Sequence, residues 1–290
     1  MKREVLHAIR FFGLGRIIPS RVKSYLVFEG AFDVPLLDEN ALFTLNNGYG
    51  REIEASLFWE GAYSFETATM NLWRRLASDS AVIIDVGANT GVYSLVAKAI
   101  NPKALIFAFE PITRVYQALE SNLELNHGRW KESQIQGFQV ALSDYDGYGE
   151  MFDLPVEHMY TASLNTDVHL ERGNAMKSIT EKVSVQRMDH FCAINNVVPD
   201  LIKIDVESHE PAVLRGMGDV LKRHQPTLIC EIWNNTVGAA VEAALENCDY
   251  RYFAIGDITL ETTHVRNDTP ELGYINYLFV SDKVASSLSL

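Results

Sequence analysis

The sequence predicts an α/β fold: a parallel sheet covered by helices on both faces. Three observations predict it. Short apolar runs without alternation recur at 81–86, 105–109, 201–205 and 227–232, as expected for strands buried on both faces. Stretches with helical apolar spacing, such as Gly91 to Ile100 and Ile112 to Leu125, alternate with them. The links between successive elements are short, which favours crossover units and a parallel arrangement.

The chain has 290 residues, 47% apolar and 22% charged. That is enough for one large domain or two small ones, and too apolar for disorder. The formal charge of −13 argues against a general grip on nucleic acid or on an anionic membrane. Cys192, Cys230 and Cys248 are too few and too scattered for a disulfide framework or a cysteine metal cluster. They read as core thiols of a reducing compartment, so a cytoplasmic location is expected. No run approaches the ~18 apolar residues of a membrane helix.

From the N-terminus, Lys2, Arg3, Arg10 and Arg16 surround Phe11, Phe12, Leu14, Ile17 and Ile18. Arg16 and Pro19 break the apolar stretch, and no small-residue cleavage pattern follows. The reading is a short amphipathic helix rather than a signal peptide. Residues 32–36 and 41–45 read as strands around the turn Asp38-Glu39-Asn40. They complete an N-terminal extension, residues 1–64, ahead of a catalytic domain at 65–285. A helix is expected from Phe65 to Ala77, and strands follow at 81–86, 105–109 and 138–142.

Residues 145–199 interrupt the rhythm. The excursion is too long for a plain connection, so an inserted cap that helps hold an acceptor is expected there. Thr180 to Arg187 alternates as a strand, and Met188 to Ile194 reads as a short helix. The sheet resumes at Leu201, with helices at 210–223 and 237–247. Strands at 227–232, 252–255 and 274–280 finish it, the last two as an antiparallel pair, and the tail from Ser286 is expected to fray.

Asp85-Val86-Gly87-Ala88-Asn89-Thr90-Gly91 closes the first central strand, where ligands bind in open parallel sheets. Gly87 and Gly91 allow a tight turn and a close ligand approach. Asp85 could face a cationic or hydroxyl-bearing group, and helix N–H groups near Asn89 or Thr90 could take a carboxylate. A dinucleotide fingerprint would need glycines at 87, 89 and 92, but Asn89 and Val92 stand at the last two. There is no Gly-Lys-Ser/Thr, which disfavours a phosphate loop. Glu110 ends the second strand, where a carboxylate can clamp ribose hydroxyls. The plainer reading of these residues is an ordinary turn with a helix-capping acid.

These pieces resemble a class I S-adenosylmethionine-dependent methyltransferase, and more closely the FkbM family. The matching segments are Ile84 to Gly91, Phe109-Glu110-Pro111, Ala141 to Asp144, Ile202 to Glu210, and Pro226 to Glu231. The resemblance implies a Rossmann-like sheet of seven strands, mostly parallel with an antiparallel last strand. It implies adenosylmethionine as methyl donor and O-methylation of a hydroxyl on a sugar, glycan or glycosylated metabolite. Asp85, Gly87, Asn89 and Gly91 would lie around the methionine and sulfonium, and Glu110 would hold the ribose. Ser143 and Asp144 would lie near the adenine, and Ala88 and Pro111 belong to the same donor-binding set. Ser208 departs from the family, which usually has glycine there.

Lys203, Asp205, Glu207, His209 and Glu210 crowd the end of one buried strand. Strand alternation puts Lys203, Asp205 and Glu207 on one side for as long as the strand continues. An alcohol is a poor nucleophile while protonated, so a base is expected among Asp205, His209 and Lys203. If a metal takes part, Asp205, Glu207 and Glu231 are the oxygen ligands for Mg²⁺. His158, Tyr160, Thr161, Ser163, Asn165 and His169 are candidate sugar-binding groups, with Trp59, Tyr63, Trp130 and Trp233 as possible stacking surfaces. The competing readings are an N-methyltransferase or peptide methyltransferase, an NAD oxidoreductase, and a non-catalytic scaffold.

Overall fold

The computed structural model describes residues 3–11, 18–23, 26, 29–36, 41–48, 52–62, 65–131, 134–153, 179–256, 260–262, 265 and 276–290. The chain opens with helices α1 (Arg3–Phe11) and α2 (Ser20–Lys23), strands β1 (Gly30–Leu36) and β2 (Ala41–Asn47), and helix α3 (Glu52–Glu60). Helix α1 docks on the body through Leu6, which is fully buried, while its neighbour Val5 faces solvent. β1 and β2 pair antiparallel from Gly30↔Asn47 to Leu36↔Ala41. Alternation sends Phe32, Val34, Leu36, Phe43 and Leu45 to one buried face. Those residues join one apolar core with Trp73, Leu95 and Ile83. Helix α3 was not anticipated; it buries Leu57 and Phe58 in the same core.

Next come α4 (Thr67–Ser78), β3 (Val82–Val86), α5 (Val92–Ile100), β4 (Leu105–Phe109), α6 (Thr113–Leu125) and β5 (Ile135–Phe138). A second group follows: β6 (Ala141–Leu142), β7 (Gly147–Asp153), β8 (Ile179–Gln186) and α7 (Met188–Asn195). The chain then forms β9 (Leu201–Ile204), α8 (Glu210–Gly216), α9 (Asp219–His224), β10 (Thr227–Glu231) and α10 (Asn235–Leu245). It ends with β11 (Arg251–Ile255), β12 (Leu260–Thr262), β13 (Asn276–Val280) and α11 (Asp282–Leu288).

The main sheet has the order β12-β11-β13-β10-β9-β3-β4-β5. β10, β9, β3, β4 and β5 run parallel, and β13 is antiparallel to both β10 and β11. This is the expected seven-strand arrangement with a reversed last strand, extended by the short edge strand β12. β9 and β10 are buried at every residue, and apolar clusters lie on both faces of the sheet. Asp200 fixes the central register: its carboxylate accepts the Ala81 and Val82 N–H groups at 2.9 and 2.8 Å.

The structure corrects several expected elements. The run 138–142 is not one strand. β5 ends at Phe138, and Ala141–Leu142 pairs with β8 in a separate three-stranded sheet of order β6-β8-β7. Strand β7 was not anticipated; its Met151 helps form a small core with Ile112, Val115, Ala141, Val183 and Val185. The helix expected at 210–223 is broken at Gly218, whose φ of 48° leaves the helical region. The tail does not fray: α11 buries Ala285 and Leu288. Residues 154–178, with His158, Tyr160, Thr161, Ser163, Asn165 and His169, lie outside the described residues, as do Tyr63, Phe12, Leu14, Arg16 and Ile17. Among the described residues no helix is long and apolar enough to cross a membrane.

Candidate active site

The carboxyl ends of β3, β4, β9 and β10 open into a cavity of about 520 Å³. At one end lies the turn after β3. The N–H groups of Gly87 and Ala88 both donate to the Phe109 carbonyl, at 3.0 and 2.9 Å, which pins the turn to the end of β4. Gly87 has φ 76°, and a Cβ there would stand 1.8 Å from the Asp205 carbonyl oxygen. Only glycine fits so close a crossing of backbones.

Glu110 is 7% exposed and ties two segments together. Its carboxylate accepts the Asn89 N–H at 3.1 Å and the Ile112 N–H at 3.0 Å. Asn89 has φ 52°, and its buried Oδ1 lacks a partner. An orphaned acceptor in a cavity wall is a ready seat for a ligand cation or N–H. Asp85 does not reach freely into the cavity; its Oδ2 accepts the Ser94 N–H and hydroxyl at 3.1 and 2.7 Å. Burial raises its carboxyl to about 6, against the opposing pull of Ser94 and Lys203. Asp85, Gly87, Ala88, Asn89, Glu110 and Pro111 line the cavity, and Gly91 stands behind them at the start of α5.

At the other end sits a cluster of charge. The carboxylates of Glu66, Asp205 and Glu231 lie within 4.8 Å of one another. Lys203, 1% exposed, donates to Asp205 Oδ2 at 3.0 Å and stands 5.0 Å over the Tyr93 ring. Burial alone would push the Lys203 ammonium down, but Asp205, Glu66 and Glu231 outweigh it and hold it above its ordinary value. Burial and the neighbouring Asp205 push the Glu231 carboxyl well up. Glu66 accepts the Tyr93 hydroxyl at 2.5 Å and the Asn276 amide at 3.1 Å. Trp233, 43% exposed at the cavity mouth, donates its indole N–H to Glu231 at 2.8 Å.

His209 is not among these groups. It lines a narrow recess with Val86, Phe109, Ala141, Leu142 and Met151. Its Nε2 stands 2.9 Å from the Ser143 hydroxyl, and burial pushes its pKa down. Asp144 is engaged by Arg215 at 2.9 Å. Ser143 and His209 therefore meet beside this recess, Asp144 is tied to Arg215, and none of the three belongs to the carboxylate cluster. Glu207 lines the cavity but is outside the cluster of three acids; Glu66 takes the place expected for it. The strand ends at Ile204, and left-handed backbone at Glu207 (φ 52°) and Ser208 (φ 73°) ends the alternation. Ser208 thus adopts the conformation that glycine suits best. Trp59 and Trp130 belong to the apolar core instead of the cavity wall.

Glu210 holds that left-handed turn. Its Oε1 accepts the Val206 and Ser208 N–H groups at 3.1 and 3.2 Å, while its buried Oε2 has no partner. Burial pushes its carboxyl up to about 8. A carboxyl raised by folding binds its proton more tightly in the folded state than in the unfolded chain. Its stabilisation is full below the ordinary carboxylate range and is lost as pH rises through about 8. Stability is expected to fall over that window, by at most ~1.4 kcal/mol per pH unit from this group. Asp85 and Glu231 act with the same sign, so the test is the difference between wild type and Glu210→Gln. Urea midpoints across pH should show a shallower decline in the variant; equal slopes would refute the assignment.

The chain matches the Methyltransferase FkbM domain over residues 85–252, more than half its length. It belongs to the FkbM methyltransferase family. Among curated relatives it is 28% identical over 195 residues to AMB antimetabolite synthetase AmbE of Pseudomonas aeruginosa, covering 57% of this chain and 9% of that protein. It is 28% identical to Methyltransferase 1 of Beauveria bassiana, covering 49% of this chain and 60% of that protein. It is 27% identical to the hexuronic acid methyltransferase AglP of Haloferax volcanii, covering 50% and 54%. The FkbM match begins at residue 85 and ends at 252, so Glu66 and Asn276 lie outside it. Glu66, Tyr93 and Asn276 are the site residues that sequence reasoning missed; none sits in a recognisable motif.

Proposed function

We propose that this FkbM-family chain transfers a methyl group from adenosylmethionine to a hydroxyl of a sugar, glycan or glycosylated small metabolite. One observation carries the reading. A single cavity joins a glycine turn, clamped by Glu110 and bearing the orphaned Asn89 acceptor, to a proton-accepting cluster at Asp205. The donor, when bound, supplies an electrophilic methyl on a sulfonium. The chain's own residues do the rest. Glu110 and the turn hold the nucleoside, with His209 and Ser143 at the adenine side. Asp205 accepts the proton that the acceptor hydroxyl loses as its oxygen takes the methyl. Lys203 fixes the Asp205 carboxylate, and Trp233 walls the mouth against the acceptor ring.

A sugar hydroxyl is favoured by the relative named for hexuronic acid methylation and by the polar, aromatic-rimmed acceptor end. Three free, buried cysteines suit the reducing cytoplasm. A second reading gives the acid cluster a divalent cation, held by Glu66, Asp205 and Glu231 rather than by the set containing Glu207. It is favoured by Asn276, 4% exposed, whose amide touches Glu66 while its Oδ1 has no partner. All four groups offer oxygen, the donor set Mg²⁺ prefers.

The test is calorimetric titration with adenosylmethionine and adenosylhomocysteine, with NAD as control, with Mg²⁺ and with a chelator. A mass-spectrometric screen of sugars and their amine analogues follows. Binding of both sulfur compounds, and a methyl-group mass gain on a hydroxyl sugar, is the expected result. A gain on amines alone would establish N-methylation; donor binding without any acceptor would leave a scaffold. Turnover that survives the chelator would remove the cation reading.

A further inference from the structure

Asn122 in the last turn of α6 and Asn126, which caps that helix, are four residues apart and each 1% exposed. Their carboxamides behave as peptide groups toward the edge of β2 that β1 leaves unpaired. Asn126 Oδ1 accepts the Thr44 N–H at 2.9 Å, and its Nδ2 donates to the Thr44 carbonyl at 2.7 Å. Asn122 Oδ1 accepts the Asn46 N–H at 2.8 Å. Its Nδ2 goes elsewhere, to the carbonyl of Thr90 at 2.8 Å.

Thr90 belongs to the glycine turn and lines the cavity. Its carbonyl would ordinarily accept the N–H of Ser94, four residues on. That N–H is taken by Asp85, so the first helical bond of α5 at this point is Leu95 N–H to Gly91. Thr90 is 2% exposed, and a buried carbonyl needs a partner. Asn122 supplies it. One carboxamide thus joins the N-terminal hairpin to the turn that faces the donor.

We infer that Asn122 is a positioning residue that couples docking of the β1–β2 hairpin to the shape of the donor turn, each stabilising the other. The inference rests on the reading of that turn as the donor site. Coupling of this kind is reciprocal: a ligand that favours one turn geometry also favours a docked hairpin.

Asn122→Asp is nearly isosteric. It keeps an acceptor for Asn46 but cannot donate to Thr90. Asn126→Asp loses the bonds to the Thr44 and Asn122 carbonyls and touches no residue of the turn, which makes it the control for a merely structural role. In the wild-type chain, adenosylhomocysteine should slow amide exchange at Thr44 and Asn46. Asn122→Asp should weaken adenosylhomocysteine binding by about tenfold and abolish that protection. Asn126→Asp should lose comparable thermal stability but keep both. Without ligand, Asn122→Asp should speed exchange across 87–95, and Asn126→Asp should not. This arm reads the coupling even if the wild type binds no adenosylhomocysteine, which would defeat the donor reading alone. Equal behaviour of the two variants in the turn, or hairpin exchange indifferent to bound adenosylhomocysteine in the wild type, would overturn the inference. The wild-type arm stands if Asn122→Asp does not fold.

Discussion

Asp205→Asn is expected to cut methyl transfer by about 10²–10⁴-fold while adenosylhomocysteine still binds. The reason is the arrangement around the carboxylate. Of the three acids in the cluster, Glu231 has its carboxyl pushed well up by burial and by Asp205 and is engaged by the Trp233 indole. Glu66 is already gripped by the Tyr93 hydroxyl and the Asn276 amide. Asp205 remains, with a side chain 29% exposed to the cavity and a fixed ammonium 3.0 Å from one oxygen. Asparagine keeps the shape and offers Lys203 an acceptor, but it cannot accept the proton. His209→Ala is the contrast: its ring lies in the recess with Ser143, so its loss should raise the donor KM and spare the proton transfer. The check is transfer of labelled methyl to the identified acceptor, measured in single turnover. A variant that turns over as fast as wild type would show that positioning alone carries the rate.

What the sequence could show follows from which signals are local. A strand buried on both faces reads as a mostly apolar run without alternation, and 82–86, 105–109, 201–204 and 227–231 therefore announced themselves. The turn at 87–91 was legible because its glycines answer steric demands that nothing else satisfies. The run 138–142 misled because composition does not say where a chain leaves one sheet for another. Phe138 pairs with Phe109 in the main sheet, and three residues later Ala141 pairs with Val185 in the small one. The break between α8 and α9 had a visible sign in Gly216-Met217-Gly218, which the apolar periodicity overrode.

The carboxylate end of the cavity was the least legible part. Glu66 and Asn276 are 210 positions apart, and each is an ordinary polar residue in its own neighbourhood. Only the sheet order, with β13 inserted next to β10, brings Asn276 to the ends of β9 and β10. Glu207 misled for a local reason: the alternation that would have aligned it with Asp205 requires a strand, and the backbone there is left-handed. The sequence therefore located the glycine turn by residue, and located the carboxylate end of the cavity only by strand.

Gly87→Ala is expected to have the largest effect on the protein itself. Two costs add. The left-handed backbone at φ 76° disfavours any Cβ, by ~1–2 kcal/mol. The Cβ would also stand 1.8 Å from the Asp205 carbonyl oxygen and 2.9 Å from its carbon. Both partners are backbone, so no rotamer change relieves the contact. The crossing is held from both sides: Gly87 donates to Phe109, and the Asp205 N–H donates to Val86 at 3.0 Å. To admit a methyl group, β3 and β9 must part at their carboxyl ends, where the turn and Asp205 sit. A loss of more than about 4 kcal/mol is expected, the range reserved for mutations with a specific steric cause. Adenosylhomocysteine binding should disappear with it. Gly128→Ala separates the two costs, because Gly128 has φ 77° and nothing within 4 Å of its Cβ position. It should lose only the conformational part and bind the donor analogue normally. Denaturant midpoints and calorimetry on the pair decide the matter. If Gly87→Ala is no worse than Gly128→Ala, the two strand ends do not meet as closely as described, and the donor turn and the proton acceptor are not braced against each other.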